Sequence, residues 1–294
     1  MKVVGLGGGH GLAASLRAAR IYADEIAAVV TVADDGGSSG RITRELGVPP
    51  PGDIRNCLVA LATKEGLAEL FQHRFDSGAL TGHTIGNLVI AALTERTGDF
   101  AEAVAQAGEL LGVDGRVLPA TSELVTLYAR VNGGEVKGQV AVAQTKDPIQ
   151  AVYLEPTDPL APQAAVDAVL GADQVILGPG SLFTSLIATL LVPGIRTALQ
   201  ETKARRVFVC NARQQKGETE SLDAASHVQA LLAHAGAFCV DTVLVQSPEL
   251  PTDGVEVDMK ALDFLGMEVV AADVANAAGA HDPGRLAEVL RGLT

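Results

Sequence analysis

The first 32 residues, MKVVGLGGGHGLAASLRAARIYADEIAAVVTV, decide the fold. Residues 1–6 and 26–32 are short apolar runs typical of buried strands, and residues 12–19 have the apolar spacing of a helix. A glycine-rich turn at 7–11 separates the first strand from this helix. The order of strand, turn, helix and strand predicts a β-α-β unit with parallel strands.

The alternation of strands and helices continues along most of the chain. We predict further helices at 54–63, 67–75, 84–97, 100–111, 163–170, 182–191, 222–235 and 283–293. We predict further strands at 174–177, 206–211, 241–246 and 269–272. This pattern predicts a Rossmann-like, three-layer α/β/α fold with a mostly parallel sheet and helices on both faces.

Residues 116–155 interrupt this alternation. Segments 123–131 and 136–144 flank the sequence NGG, which is a hairpin signal, and 151–155 is a third candidate strand. The region is short and has no predicted helix of its own. We therefore expect a small antiparallel excursion within a single domain that spans residues 1–294.

Composition restricts the classes of partner. Hydrophobic residues make up 48% of the chain and aromatic residues only 3%, so the core must consist of Ala, Val and Leu. The formal net charge of −13 argues against a nucleic-acid surface, which needs a basic face. An anionic small molecule is not excluded, because it needs only a local group of N–H donors and arginines.

Cysteine usage and hydropathy predict a cytoplasmic protein. The three cysteines are odd in number and lack the spacing of a metal site, which favours a reducing compartment. No apolar run is long enough for a membrane span, and the chain enters its first strand without a signal peptide. We expect no membrane insertion.

Four polar loops follow predicted strands, at 7–11, 34–41, 178–181 and 211–217. Because ligands of open α/β sheets bind at the carboxyl ends of the strands, we expect these loops to converge on one site. The second loop, DDGGSSGR, combines free backbone N–H groups, two hydroxyls and the fork of Arg41, which suits a phosphate. It could instead be a solvated polar loop.

The acidic residues of this region have two readings each. Asp34 and Asp35 lie at the end of the second predicted strand. They either occupy the position at which a dinucleotide-binding unit has its ribose-binding acid, or they are solvated residues of the strand end. Asp53 precedes a predicted helix, so it either caps that helix or binds Mg²⁺ beside a phosphate, and both roles can coexist.

The remaining loops also have structural alternatives. The turn at 7–11 fits the looser G-x-G-x-x-A pattern, but glycines in such turns also serve packing. Ser181 starts a helix that favours an anion, or it only caps that helix. His10 and His83 are ligand contacts or structural histidines, and Asn211 lies in a loop that reaches a base or sugar or is solvated.

Five motifs occur in order: GGGHG at 7–11, ADDGGSSGR at 33–41, PPGDIRNCL at 50–58, GHTIGNL at 82–88 and LGPGSLFTS at 177–185. With them the chain resembles the bacterial gluconeogenesis factor family (YvcK-type) of the CofD-like superfamily. This resemblance implies a cytoplasmic protein that binds a UDP-sugar such as UDP-N-acetylglucosamine. It also implies a role in cell shape and in growth on gluconeogenic carbon sources, without established catalysis.

The enzymatic relatives implied by this resemblance are 2-phospho-L-lactate transferases, which use a nucleotide-activated substrate and a divalent metal held by aspartates. By motif position, Asp53 corresponds to a metal ligand and residues 178–185 to a phosphate-binding loop. One departure concerns ligand specificity: the family often has Arg-His-Asp where this chain has Ala280, His281 and Asp282.

Three functions follow as hypotheses: a regulatory protein that binds a nucleotide sugar, a metal-dependent phosphotransferase, and an NAD-dependent oxidoreductase. Each takes a small nucleotide ligand, the second also takes Mg²⁺, and a homo-oligomer and regulatory protein partners are further expectations. The predicted metal ligand is Asp53. The predicted ligand-binding residues are Gly8, Gly9, His10, Gly11, Asp34, Asp35, Ser38, Ser39, Arg41, Arg55, Asn56, His83, Asn87, Gly178, Gly180, Ser181 and Asn211.

Overall fold

A computed structural model of the chain describes residues 1–237 and 239–293. Its strands, in chain order, are β1 (Lys2–Gly7), β2 (Glu25–Val30), β3 (Arg116–Pro119), β4 (Thr126–Val131), β5 (Gly134–Lys137), β6 (Ala151–Glu155), β7 (Gln174–Leu177), β8 (Arg205–Val209), β9 (Thr242–Gln246) and β10 (Glu268–Ala272). Seven of them form a central sheet in which every neighbouring pair is parallel.

The order of strands in this sheet is β3-β2-β1-β7-β8-β9-β10. The chain therefore builds outward from β1 to one edge, and then returns to add β7 on the other side of β1. Such a reversal leaves a crevice at the carboxyl ends of the two central strands, which is where open α/β sheets bind ligands. The fold class predicted from the sequence is confirmed.

Helices cover both faces of the sheet. In chain order they are α1 (Gly9–Ala19), α2 (Gly37–Leu46), α3 (Gly52–Leu61), α4 (Glu65–Gln72), α5 (Ile85–Thr97), α6 (Phe100–Leu111), α7 (Gln139–Ala143), α8 (Gln163–Leu170), a π-helical segment (Leu182–Ile187) continued by α9 (Ala188–Leu190), α10 (Pro193–Glu201), α11 (Ala224–Ala235), α12 (Met259–Phe264) and α13 (Pro283–Arg291).

The two faces of the sheet belong to two separate hydrophobic cores. Along β1, Val3 belongs to the core that contains α1 residues, whereas Val4 and Leu6 belong to the core on the opposite face. This alternation follows from the two-residue period of a strand, and burial on both faces explains why the sequence of β1 is apolar throughout.

The small antiparallel sheet exists, in the order β5-β4-β6, but one of its predicted strands is wrong. The predicted strand 136–144 ends at Lys137, and residues Gln139–Ala143 form α7 instead. Gly138 has a φ of 96°, a backbone conformation that turns the chain and that residues other than glycine rarely adopt. The carboxylate of Asp35 then accepts the N–H of Val140 and holds the first turn of the new helix.

The loop predicted at 34–41 is also corrected, because α2 begins at Gly37. Its start, with two glycines and two serines, has little helix propensity, so the sequence predicts a loop there. Tertiary packing supports the helix instead: Ile42 packs in a small buried cluster with Val48 and Ala91. As a result, Ser38 and Ser39 are buried in the first turn of a helix rather than displayed on a loop.

Within the described residues, no single helix is long and apolar enough to cross a membrane, although the bent pair Leu182–Leu190 and Pro193–Glu201, with 77° between its halves, meets the criteria of length and composition.

The turn after β1 and the turn after β7 are in direct backbone contact. A side chain on Gly11 would overlap the carbonyl oxygen of Pro179. The hydroxyl of Ser15 donates to the carbonyl of Gly178 at 2.7 Å, and the hydroxyl of Thr189 donates to that of Gly7 at 3.2 Å. The two central turns therefore form one continuous surface.

This contact predicts that Gly11→Ala destabilises the protein by about 1–3 kcal/mol, because backbone atoms must move to admit one methyl group. Gly66→Ala in α4 is the matched control: a methyl group there meets no atom within 4 Å. We expect the control to gain up to about 1 kcal/mol from helix propensity. Urea unfolding measures both changes, and equal midpoints for the two variants would contradict the prediction.

Candidate functional site

Asp53 lies in the first turn of α3 and faces the start of α1 across the crevice. Its carboxylate accepts the backbone N–H of Gly9, and a side chain on Gly8 would overlap it. The capping alternative considered for Asp53 is wrong, because the residue before α3 is Pro51 and no side chain caps this helix. Gly8 and Gly9 thus leave room for a carboxylate at the N-terminus of α1, where the helix dipole favours a negative charge.

A second carboxylate, from Asp34, lies beside Asp53. It accepts the N–H of Gly36 at 2.9 Å and a hydrogen bond from Ser39. Burial raises the pKa of Asp34 above its usual value. Burial, and then the negative charge of Asp34, raise the pKa of Asp53 to about 7. Two adjacent carboxylates with raised pKa values indicate a position where a cation or a shared proton is favourable.

A buried arginine supports this acidic pair from behind. Arg55 donates to Thr84 Oγ1 at 2.6 Å, to Asn87 Oδ1 at 2.8 Å and to Asn56 Oδ1 at 2.8 Å. All three acceptors are neutral, and Arg55 Nε has no partner among the described residues. Burial, followed by the charge of Arg74, lowers the pKa of Arg55 to about 10.

Ser38 and His83 meet next to this network. The Ser38 hydroxyl lies 3.1 Å from His83 Nδ1 and accepts a hydrogen bond from Asn87 Nδ2 at 3.0 Å. Burial and the nearby charge of Arg41 lower the pKa of His83. All three side chains are buried and hold α2 against the start of α5.

Two predicted ligand contacts are used by the protein itself. Arg41 Nη2 donates to the carbonyl of Thr81 at 2.6 Å, which attaches α2 to the turn before α5. Asp35 bonds to Val140 and lies against Gly138, away from Asp53. Both side chains therefore fix neighbouring segments around the crevice.

The helix start that follows β7 is occupied by an internal carboxyl group. Glu218 is buried, and its carboxylate accepts the N–H groups of Phe183 and Thr184 at 2.7 and 2.8 Å. Ser181 also donates to Glu218 and makes no capping bond to the backbone of its own helix. The expectation of free N–H donors at this turn is therefore corrected, because Glu218 takes them.

Asn211 positions the same turn. Its side-chain amide forms two bonds with the backbone of Gly180, accepting the N–H at 2.9 Å and donating to the carbonyl at 2.8 Å. Gly178 is buried beside Gly180. The side chain of His10, by contrast, is exposed at the start of α1.

The structure thus brings Gly8, Gly9, Gly11, Asp34, Asp53, Gly178 and Gly180 together at the switch point, and places Ser38, Ser39, Arg55, Asn56, His83 and Asn87 in the layer behind it. Sequence reasoning missed the roles of Thr84 and Glu218. The spacing of Thr84 and Asn87 is a helix-start signal, which the structure confirms with a bond of 3.4 Å. No sequence signal identifies Glu218 as the acceptor for a helix 34 residues away.

The residues present fit a magnesium ion. No group of three or more metal-ligating side chains occurs within residues 1–237 and 239–293, but Mg²⁺ commonly takes only one or two carboxylates, with phosphates and water as its other ligands. Asp53 and Asp34 would supply such a pair of oxygen ligands. A divalent cation there would also remove the electrostatic cost of two neighbouring negative charges.

At the position of the sequence departure, Ala280 is exposed. A guanidinium is still close by, because Arg213 packs against Gly279, and its Nη1 donates to the carbonyl of Thr252 at 3.1 Å. His281 bonds to the backbone of Cys210, which follows β8, so this segment also lies at the carboxyl edge of the sheet.

Fold and site together define a doubly wound α/β protein whose candidate site lies at the switch point of a parallel sheet. The chain belongs to the CofD family, whose model, described as 2-phospho-L-lactate transferase CofD, matches residues 3–276. The motifs quoted from the sequence therefore identified the family correctly.

The relatives agree with this assignment. A protein named gluconeogenesis factor from Bacillus subtilis is 42% identical over 308 residues, which cover 98% of this chain and 96% of the relative. Another of that name, from Halalkalibacterium halodurans, is 45% identical over 246 residues, 83% of this chain and 76% of the relative. The crystal structure of a UPF0052 family member from Bacillus halodurans matches with a TM-score of 0.95 at 38% identity, covering 98% of each chain.

The raised pKa of Asp53 predicts a pH-dependent effect on stability. A carboxyl group whose pKa is about 7 in the folded protein and about 4 in the unfolded chain binds its proton more tightly in the folded state. Its protonation therefore stabilises the fold at low pH, and this stabilisation is lost as the pH rises from about 4 through 7. We therefore compare the free energy of unfolding of Asp53→Asn with that of the unmutated protein. We expect this difference to shift in favour of the variant by about 2–3 kcal/mol as the pH rises from 5 to 8.

Urea unfolding of both proteins at several pH values measures this difference. Asp158→Asn, at an exposed position, is the control for the loss of one carboxylate. A pH-independent difference for Asp53→Asn would show that this carboxyl group titrates normally.

The contacts of Glu218 predict that Glu218→Ala destabilises the protein by about 2–4 kcal/mol, because two buried N–H groups lose a charged acceptor. Glu218→Gln retains one acceptor oxygen and should lose clearly less. Thermal unfolding of the two variants tests this order. Equal losses would indicate that the packing of the side chain, rather than its hydrogen bonds, supports the helix start.

Proposed function

We propose that this protein is a gluconeogenesis factor, a regulatory protein that binds a nucleotide sugar of the UDP-N-acetylglucosamine type and is needed for growth and cell shape on gluconeogenic carbon sources. The observation that carries this proposal is the meeting of two glycine-rich turns, 7–11 and 178–181, at the switch point of the sheet. Such a surface admits a pyrophosphate close to the backbone.

The first turn of α1 is the best candidate for the phosphates. The N–H groups at the start of a helix have no acceptor within the helix, and that of Gly9 is taken by Asp53. Those of His10 and Gly11 are the next donors along the same turn. The exposed imidazole of His10 adds a side-chain donor beside them.

The electrostatics favour a ligand that arrives with a cation. Asp34 and Asp53 would repel a bare pyrophosphate, whereas Mg²⁺ between the carboxylates and the phosphates neutralises both. The likeness to proteins named gluconeogenesis factors, at 42–45% identity, supports the regulatory role. The guanidinium of Arg213, which packs against Gly279, would take the place of the arginine that the family often has at the position of Ala280.

Calorimetric titration with UDP-N-acetylglucosamine, UDP, GDP and NAD, each with and without Mg²⁺, tests the proposal. We expect UDP-N-acetylglucosamine to bind most tightly, and Mg²⁺ to strengthen binding by about tenfold in the unmutated protein, roughly one charge-assisted interaction. In Asp53→Asn this effect of Mg²⁺ should disappear, while Asp158→Asn retains it. Absence of binding by every uridine nucleotide at millimolar concentration would refute the proposal.

A second candidate is a phosphotransferase that acts on a nucleotide-activated phosphoester, as the name of the family model suggests. The specific observation in its favour is the pair of Asp34 and Asp53 beside the α1 turn. In this reaction an acceptor hydroxyl forms a new bond to phosphorus, and the nucleotide leaves with the electrons of the broken P–O bond. Bound Mg²⁺ would supply charge stabilisation at that phosphorus.

The residues of the chain would have defined tasks in such a transfer. Asp34 and Asp53 would hold the ion, and the first turn of α1 would orient the phosphate oxygens. The same set of titrations separates the two candidates if product is analysed after incubation with an alcohol acceptor. Mg²⁺-dependent release of nucleoside monophosphate that Asp53→Asn abolishes would favour the transferase, and tight binding without turnover would favour the regulatory protein.

A further inference from the structure

The two edges of the central sheet are protected to different degrees. β3 and β10 are its outermost strands, so each has one side without a neighbouring strand. β3 ends in Pro119, and the next residue, Ala120, donates its N–H inward to the carbonyl of Val30 in β2. Because successive backbone N–H groups of a strand point to opposite sides, the nitrogen of Pro119 lies on the outer side. A proline there removes a donor that another strand would need.

β10 has no such protection. Its five residues, EVVAA, include neither proline nor lysine, which commonly stop edge strands from pairing. Glu268 is its one charged residue, and Arg205 forms an ion pair with it. Val269 and Val270 are only half-buried and Ala271 is exposed. The described part of the chain therefore leaves this edge open to solvent.

Hydrogen bonds to β9 involve every second residue of β10. Glu268 donates its N–H to the carbonyl of Asp241 at 3.3 Å, and Ala272 accepts the N–H of Ser247 at 2.9 Å. In a parallel pair, the residues of one strand that bond to the same neighbour alternate along the chain. The register of β10 on β9 therefore assigns the inward bonds to Glu268, Val270 and Ala272.

The other two residues, Val269 and Ala271, direct their N–H and C=O groups away from β9. Among the described residues these groups have no hydrogen-bond partner. Unpaired donors and acceptors on an open edge form a template for a further strand.

The outward groups of β10 are complementary to those of a second β10. When two such strands run antiparallel about Val270, Val269 of each copy lies directly opposite Ala271 of the other. Residues that face each other in this way exchange both N–H···O=C bonds, so all the free groups of the two edges are satisfied. Val270 lies opposite Val270 of the second copy, at the position where an antiparallel pair has no hydrogen bonds.

Charge is compatible with this register. Glu268 lies opposite Ala272 of the second copy, so the two glutamates do not face each other. Asp273, which follows the strand, is paired with Arg285 at 2.6 Å. No like charges therefore oppose the pairing within β10.

An exposed aromatic side chain lies close to the same edge. α12 ends at Phe264, four residues before β10, and the side chain of Phe264 is 91% exposed. α12 and Val269 contribute to the same core, so they share one face of the sheet. A twofold axis perpendicular to the sheet keeps the two α12 helices on that face, where pairing gives Phe264 apolar surface to bury.

We propose that the protein forms a twofold dimer in which β10 of one copy pairs antiparallel with β10 of a second copy and joins the two sheets into one. The occupant of the edge is a second copy because the free backbone groups and the single charge of β10 are complementary to β10 itself. Strands of the two copies run in opposite directions, so the two candidate sites lie at opposite edges of the joined sheet. Dimer formation is therefore independent of nucleotide binding.

Hydrogen exchange of the unmutated protein at two concentrations tests the pairing residue by residue. The N–H groups of Val269 and Ala271 should exchange rapidly in dilute protein and become protected in concentrated protein, whereas that of Val270 should be protected in both. Sedimentation equilibrium should give a dissociation constant of about 10–100 µM, because one strand pair buries a small interface. A protein that stays monomeric up to about 1 mM overturns the proposal.

Ala271→Pro removes an outward N–H and leaves the inward bonds of β10 intact. The dissociation constant should rise by about tenfold or more, because each dimer loses two hydrogen bonds. Ala271→Ser is the matched control: it retains the N–H and should leave the dissociation constant unchanged. Phe264→Ser, at an exposed position that the fold does not need, should also weaken the dimer.

Thermal unfolding shows whether Ala271→Pro folds. If it does not, Phe264→Ser and the hydrogen exchange of the unmutated protein decide. A dimer whose formation leaves the exchange at Val269 and Ala271 unchanged uses another surface and overturns the proposal. Nucleotide titrations of the same variants should match those of the unmutated protein, so failure of the dimer and failure of the proposed function are separate results.

Discussion

Direct backbone contact between the turns after β1 and β7 is the constraint on which the site depends. The sheet order brings these two strands together, and the absence of a side chain at Gly11 lets the turns touch. Hydroxyl bonds from Ser15 and Thr189 to the carbonyls of the turns fix the contact. Because no side chain separates the turns, a ligand above them meets backbone groups held in fixed positions, which is the property that pre-organised anion sites share.

Internal carboxylates determine how much of this anion-binding capacity remains for a ligand. Asp53 faces the start of α1, Glu218 the π-helical segment after β7, and Asp35 the start of α7. Each places a carboxyl group where a helix dipole favours a negative charge. An acidic protein can in this way stabilise its own helix starts, but a phosphate is left with the unused donors of α1 and with any cation held by Asp34 and Asp53.

The basic side chains around the site differ in whether they have hydrogen-bond acceptors inside the protein. Arg41 and Arg55 have backbone or side-chain acceptors inside the protein, so they support the site rather than reach a ligand. Arg44 and Lys137 line a cavity together with the carboxylates of Asp34 and Asp35, and neither cation forms a salt bridge among the described residues.

The sequence by itself determined the parallel sheet, the family and most of the residues at the switch point, because apolar strand runs and glycine-rich turns are local signals. The small sheet was predicted only in part, since a glycine turn and the carboxylate of Asp35 convert its last predicted strand into α7. Only the tertiary structure decided that Ser38 lies inside a helix, that Glu218 fills the anion position after β7 and that Arg44 lines a pocket with Lys137. The physical reason is that these outcomes depend on partners more than 30 residues away, and no local pattern of side chains encodes such partners.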